Sequence, residues 1–310
     1  MKAVKVLPRA ALLLLLVASA PTPSLAWGDE GHRVVARIAA HYVTKFKPGL
    51  ANKIDAILKA GNDPCATQPS LADQLACVAT WADPPVKDER PYTANWHFVD
   101  IPINPNNLPQ HVAYDAARDC REDPERGDCL ILAADRMEHV LGNENEQACA
   151  RAEALKFIVH LIGDLHQPLH GAERNKDRGG NDVRVWWNDS PTNLHSLWDT
   201  GLILRIYKDD FGTQGDDRRF ADALSAKLDA LPQADMNKLT QGTIIQWAEA
   251  SHDLAGQFAY GLLPKTAACG PQPKRFCIDE TYYQKSRPVV EDQLKRGGVR
   301  LAKILAFILK

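Results

Sequence analysis

After residue 26 the chain contains no apolar run of the roughly 20 residues that a membrane helix needs, so no membrane span is expected there. It has no Cys-x-x-Cys, which argues against a zinc site built from cysteines. There is no surplus of positive charge: 37 Lys and Arg stand against 39 Asp and Glu. A protein that holds nucleic acid by a basic surface alone is thereby disfavoured, because phosphate backbones attract Lys and Arg. Internal repeats, low-complexity tracts and linker-like shifts of composition are also missing, which leaves one mostly α-helical single domain as the economical reading.

The longest apolar stretch lies before residue 26. Lys2, Lys5 and Arg9 precede the run from Ala10 to Val17, and Ser24-Leu25-Ala26 places small residues at −3 and −1 of a cleavage site. Residues 1–26 therefore read as a signal peptide, cut after Ala26. The mature domain would span 27–310, secreted or periplasmic, with Trp27 at its new N-terminus. No cysteine follows the cut, so nothing suggests a lipid anchor. Losing three basic residues takes the formal net charge from −2 to −5, a deficit that bound cations would have to correct locally. All seven cysteines are in the exported part, where disulfides are plausible. The close pairs Cys65/Cys77, Cys120/Cys129 and Cys269/Cys277 suggest three short loops and leave Cys149 over. On the order of a hundred pairings remain formally open.

Apolar residues recur at helical spacing from Gly31 to Phe46 (Val34, Val35, Ile38, Ala39, Tyr42) and from Cys149 to Leu165 (Leu155, Ile158, Val159, Ile162). Ala221–Leu231, Lys238–Leu262 and Tyr282–Leu309 read as further helices. Asp182–Trp187 alternates as a strand after the turn Gly179-Gly180-Asn181, within a small β-hairpin near 182–196. The proline-rich stretches 102–109 and 264–273 read as surface loops. Lys295, Arg296, Arg300, Lys303 and Lys310 read as the solvated face of the last helix.

Zinc takes imidazole and carboxylate ligands, and a helix presents such groups four residues apart on one face. Two pairs fit, His160/Asp164 and His195/Asp199. About one such pair is expected by chance in this composition, and His111/Asp115, in a polar segment, reads as the decoy. His160 and Asp164 stand in an apolar helix, where polar groups without partners are costly. Gly163 between them allows another group to approach closely. Pro168 ends the helix near His166, which reads as structural. His170 follows in the turn, able to point back.

Read with Gly179-Gly180-Asn181-Asp182 and Asn193-Leu194-His195-Ser196-Leu197-Trp198-Asp199, the segment from His160 to His170 resembles the fungal and plant single-strand nuclease family. That family is related to bacterial zinc phospholipase C and shares its mostly helical fold. Trp27-Gly28 followed by His32, Trp81-Ala82-Asp83, Trp96-His97-Phe98-Val99-Asp100 and Trp247-Ala248-Glu249-Ala250-Ser251 match as well. The resemblance implies three Zn²⁺. Asp83, His97, His160 and Asp164 would hold the first, and His170, His195 and Asp199 the second. The α-amino nitrogen and carbonyl oxygen of Trp27, with His32, would hold the third, and Asp164 would bridge the first and third.

Zinc lowers the pKa of bound water from about 15.7 towards about 7, so no side-chain nucleophile is needed. The resemblance implies a monomeric, zinc-dependent endonuclease acting on single-stranded DNA and RNA. It would give 5′-phosphate products and also attack 3′-nucleotides. Asp83 would be the orienting base. Phe98 would stack a base, Lys87 would contact phosphate where the family often has Arg, and Asn181 would meet a base from its glycine-rich turn. Zinc phospholipase C is the alternative from the same constellation. Against it stand the short step from Trp27 to His32, Asp199 in place of Glu, and the longer segment between His170 and His195. A non-catalytic exported zinc carrier would not need an N-terminal amine in a three-metal cluster.

Overall fold

The computed structural model describes residues 27–310 apart from 85, 105, 107–109, 214 and 271–273. The signal-peptide reading of 1–26 lies outside the described residues. The long helices are α1 (Asp29–Phe46), α2 (Pro48–Ala60), α3 (Leu71–Val78), α4 (Leu130–Gly142), α5 (Ala148–Asp164), α6 (Leu202–Phe211), α7 (Asp217–Asp229), α8 (Ile244–Leu254) and α9 (Glu280–Ile308). Among the described residues no helix is long and apolar enough to cross a membrane.

The axis of the fold is α1. Its apolar stripe Val34, Val35, Ile38, Ala39 and Val43 is buried, packed against α9, α3 and α7, with α2 and α5 at its sides. Burying side chains of that size contributes roughly 1.5–3 kcal/mol each, which fixes the helix that carries His32. A smaller apolar cluster of Ala82, Val86, Trp96, Ala133, Ala134, Phe157 and Leu161 joins α4 and α5 to the 3₁₀ turn Pro91–His97. Asp83 and His97 stand directly on it.

The hairpin is present. Strands β1 (Arg184–Trp187) and β2 (Ser190–Asn193) pair antiparallel, with Val185 opposite Thr192. Asn188 and Asp189 both have positive φ, 47° and 60°, the two-residue turn that suits strand twist. A third strand, β3 (Phe276–Cys277), adds parallel to β1 and gives the order β2-β1-β3. Too short for a period, it leaves no mark in the sequence.

Two expectations need correction. The helix expected over Lys238–Leu262 is broken. A short helix ends at Leu239, and α8 begins after a capping box in which Thr243 and Gln246 satisfy each other's backbone N–H. The last helix does not carry five solvated cations either, because Arg300 is buried. It donates from Nε to the Leu239 carbonyl at 2.8 Å and from Nη1 to His166 Nε2 at 2.9 Å. The three close cysteine pairs are disulfides, and Cys149 is free and exposed.

Candidate metal centre

The site forms where the first turn of α1 meets the last turn of α5. Its second half comes from the chain that follows α5, the 3₁₀ turn Pro168–Gly171, and from the segment after β2. His160 and Asp164 share one face of α5, with Nε2 and Oδ2 3.2 Å apart. His97 brings Nδ1 to 3.0 Å from both His160 Nε2 and Asp164 Oδ2. Asp83 lies 3.8 Å from His160 and 3.9 Å from His97. On the other side of Asp164, His32 Nε2 is 3.3 Å from Oδ1, and its ring stacks on His160 with centroids 3.9 Å apart. Gly163 makes that stacking possible, since a Cβ there would stand 2.6 Å from His32 Nδ1.

His170 Nε2 faces His195 Nε2 at 3.1 Å. Asp199 stands one turn beyond His195, at 3.4 Å from its Nε2, in a π-helical turn Leu197–Gly201 of the kind that often marks functional sites. All these side chains are buried. Three groups could each hold a metal ion: Asp83, His97 and His160; His32, His160 and Asp164; and His170, His195 and Asp199.

Hydrogen bonds assign the ring nitrogens. The Nδ1–H groups of His160, His170 and His195 donate to the carbonyls of Ala79, His97 and Gly179, each at 2.7 Å. Their Nε2 atoms are thereby left as lone pairs. His170 and His195 so aim two lone pairs at each other in a buried space, which repels unless a cation lies between them. Among the described residues, both ring nitrogens of His32, Nε2 of His97 and Oδ1 of Asp164 are buried without a hydrogen-bond partner, a costly state for polar atoms. Burial holds His195 at about 3 and His97 at about 4 and lowers His170 and His32. These are the neutral imidazoles that metals take. Against its burial, Asp83 is held well below the usual carboxylate range by His160, Lys87 and His97.

A cleft of about 490 Å³ opens over the second half of the site. Phe98, Lys87 and Asn181 all line it, as do His97, His170 and His195. Lys87 Nζ donates to Asp83 Oδ1 at 2.9 Å, so it braces the expected base while standing at the mouth. The walls carry Lys87, Arg126 and Arg178 but also Asp88, Asp100, Asp123 and Glu173. Side chains alone do not make this cleft attractive to a polyanion.

His166 points away from the cluster, with its Nδ1–H on the Ile162 carbonyl at 2.7 Å. His111 is exposed and pairs with Asp253 at 3.0 Å, while Asp115 caps the short helix Ala116–Asp119. Trp27 is fully buried, and the adjoining Gly28 N–H donates to the Asp199 carbonyl at 2.9 Å. Sequence reasoning missed several supports. Gln167 donates to Asp199 Oδ1 at 2.5 Å. Ser251 and Gln293 bond the Leu165 and His166 carbonyls. Asp100 lines the cleft with its pKa raised to about 7 by burial and then by Glu173, Asp119 and Asp177. Asn95 donates from its backbone and side chain to the carbonyls of Arg126 and Gly127. This ties the Pro91–His97 turn to the loop closed by Cys120–Cys129, and Leu130 N–H holds the Phe98 carbonyl.

The class defined by this arrangement is borne out by comparison with known proteins. A model of the family described as S1/P1 Nuclease matches residues 27–310. Nuclease S1 of Aspergillus oryzae is 30% identical, over 95% of this chain and 97% of its own. Endonuclease 3 of Arabidopsis thaliana is also 30% identical, covering 94% and 92%. Nuclease P1 of Penicillium citrinum is 28% identical, covering 89% and 95%. The chain belongs to the S1/P1 nuclease family and is a phosphodiester hydrolase. The phospholipase alternative is set aside.

Proposed function

We propose that the protein is an exported, monomeric, zinc-dependent endonuclease of one domain, beginning at Trp27. It cleaves single-stranded DNA and RNA to 5′-phosphate products and attacks 3′-nucleotides. The observation that carries the zinc reading is the pair of imidazole lone pairs of His170 and His195, 3.1 Å apart and buried. Asp199 completes that set. Asp83, His97, His160 and Asp164 hold a second ion. His32 and the backbone of Trp27 hold a third, with Asp164 shared between the last two.

Zinc bound there supplies Lewis acidity, lowering the pKa of water to about 7 and neutralising phosphate oxygens. The remaining work falls to the chain. Asp83, ionised throughout the working range, accepts a proton-bearing bond and orients the attacking water. Lys87 keeps Asp83 charged and stands where a phosphate enters. Phe98 offers a stacking face that tolerates any base, and Asn181 lines the same cleft with its Nδ2 bonded to the Arg178 carbonyl, which leaves its amide oxygen to meet a base. The mixed charge of the cleft makes attraction of the strand depend on the bound cations.

The test is hydrolysis of single-stranded DNA, single-stranded RNA and phosphatidylcholine by the same preparation, before and after chelation and zinc return. Nucleic acid alone should be cut, and only with zinc. Undiminished turnover by a metal-free sample would overturn the proposal.

A further inference from the structure

His195 is aimed by a loop with an unusual backbone. Between Glu173 and Asp182, positive φ values occur at Asn175 (56°), Lys176 (60°), Arg178 (55°), Gly179 (58°) and Gly180 (83°). Residues with a Cβ avoid this left-handed region, so the loop needs something to hold it. It also has little room to move. A Cβ on Gly179 would stand 2.7 Å from the Leu169 carbonyl oxygen and 3.3 Å from His195 Nδ1. The loop's product is the Gly179 carbonyl, which takes the Nδ1–H of His195 at 2.7 Å, while the Gly180 carbonyl accepts the His195 backbone N–H.

Asp177 is what holds it. One oxygen, Oδ1, accepts three bonds: from the Arg174 N–H at 3.1 Å, the Gly180 N–H at 3.1 Å and the Tyr260 hydroxyl at 2.9 Å. Tyr260 is buried in the π-helical turn Ala255–Tyr260, and the Arg174 guanidinium lies 4.2 Å from its ring centroid. The carboxylate thus joins the two ends of the strained stretch to a fixed point outside it. Asp177 is itself buried, and the three partners of its Oδ1, Arg174, Gly180 and Tyr260, all lie outside the three metal groups.

We propose that Asp177 is a positioning residue for the zinc held by His170, His195 and Asp199. It acts through the Gly179 carbonyl, and Tyr260 is its brace. The inference rests on the zinc reading above. The group bonded to the non-liganding nitrogen of a histidine fixes its tautomer and ring direction, and losing that group typically lowers metal affinity or activity. Here that group is a main-chain carbonyl, and Asp177 sets where it stands.

The experiment compares Asp177→Ala, Asp177→Asn, Tyr260→Phe and His195→Ala in the mature chain. Zinc per chain is measured in graded zinc buffers, with kcat and KM at limiting and excess zinc, and the melting temperature in excess zinc. Asp177→Ala should lower the affinity for one zinc by about 10–100-fold, and its kcat should recover as zinc is raised. Asp177→Asn should stay within about 3-fold of the parent, since its amide oxygen can accept the same three bonds. Tyr260→Phe should fall between them. A lower melting temperature in Asp177→Ala with unchanged zinc affinity would reduce Asp177 to a structural role. If the Ala variant does not fold, Tyr260→Phe decides, and parental zinc affinity there overturns the proposal. His195→Ala separates the two levels. If it too keeps its full zinc, the metal reading fails; if it alone is zinc-poor, only the role of Asp177 fails.

Discussion

Gly163→Ala places two physical rules in opposition. In a helix, Ala is favoured over Gly by up to about 1 kcal/mol, less in a last turn such as this one, so propensity alone expects a slightly more stable protein. The geometry says otherwise. The added Cβ would lie 2.6 Å from His32 Nδ1 and 3.1 Å from Cε1, whereas carbon contacts settle at about 3.5–4.0 Å. The imidazole must retreat by about 1 Å, while metal–ligand distances tolerate only about 0.2 Å. The ring cannot retreat freely, because it is buried and stacked on His160 at 3.9 Å. Overpacking costs typically about 1–3 kcal/mol, so with the helix gain the metal-free protein should melt within a few degrees of the parent. A misplacement of about 1 Å can cost about 100-fold in rate. The expected variant is therefore folded, short of about one zinc per chain and slowed by about two orders of magnitude in kcat/KM. Elemental analysis, steady-state kinetics on single-stranded DNA and melting curves with and without chelator measure all three. Parental zinc content with kcat/KM within about 3-fold of the parent would refute the argument that His32 needs the space above Gly163.

Asp164→Ala should be the most damaging single change at the site, because in the proposed assignment its carboxylate serves two ions; zinc content and kcat read it directly. His166→Ala should lower the melting temperature, by leaving Nη1 of the buried Arg300 without its acceptor, yet keep its zinc, and His111→Ala should change neither. A chain made with Met or a tag before Trp27 offers an amide nitrogen in place of a free amine, whose pKa is near 7.7–8.0 by about the usual range. It should lack about one zinc per chain and lose most activity, whereas a trimmed Trp27→Phe should be tolerated better; equal zinc in tagged and trimmed forms would exclude the N-terminal ligand. Asp100 has its pKa raised to about 7, so the folded state keeps a proton that the unfolded state has lost between about pH 4 and pH 7. Its contribution is greatest below that window and is lost as pH rises through about 7, so Asp100→Asn should melt a few degrees higher at pH 8 and unchanged at pH 4, as calorimetry would show.

How much of this was legible depended on which physical signal each feature leaves. The pairs His160/Asp164 and His195/Asp199 were readable because helical spacing puts both members on one face. His170 was readable because Pro168 turns the chain back. Asp83 and His97 emerged only through the resemblance, since one follows α3 in a turn and the other closes a 3₁₀ turn, where no period marks them. The carbonyls of Ala79, His97 and Gly179 aim the imidazoles by their position, which carries no residue identity. The five left-handed residues around Asp177 escaped for the same reason, apart from the glycines. Apolar spacing continues across residues 238–262, so the break before Thr243 was hidden by a pattern that the cap overrides. The resemblance marks Lys87 as a phosphate contact alone; its ion pair with Asp83 is hidden because Asp83 stands in a turn before the short helix that begins at Val86, where no helical period joins the two.

The nine-residue separation of Cys120 and Cys129 carries a consequence for where the protein can work. The loop it closes holds Asn95 by two carbonyls, and Asn95 sits two residues before His97. Reducing agents would attack a sulfur pair that touches no metal group, yet would slacken the scaffold under one of the imidazoles. Catalytic competence is thereby linked to an electron-poor environment. A chain that strayed into a thiol-rich compartment, where intact nucleic acid is most abundant, would lose part of the support on which its metal chemistry stands.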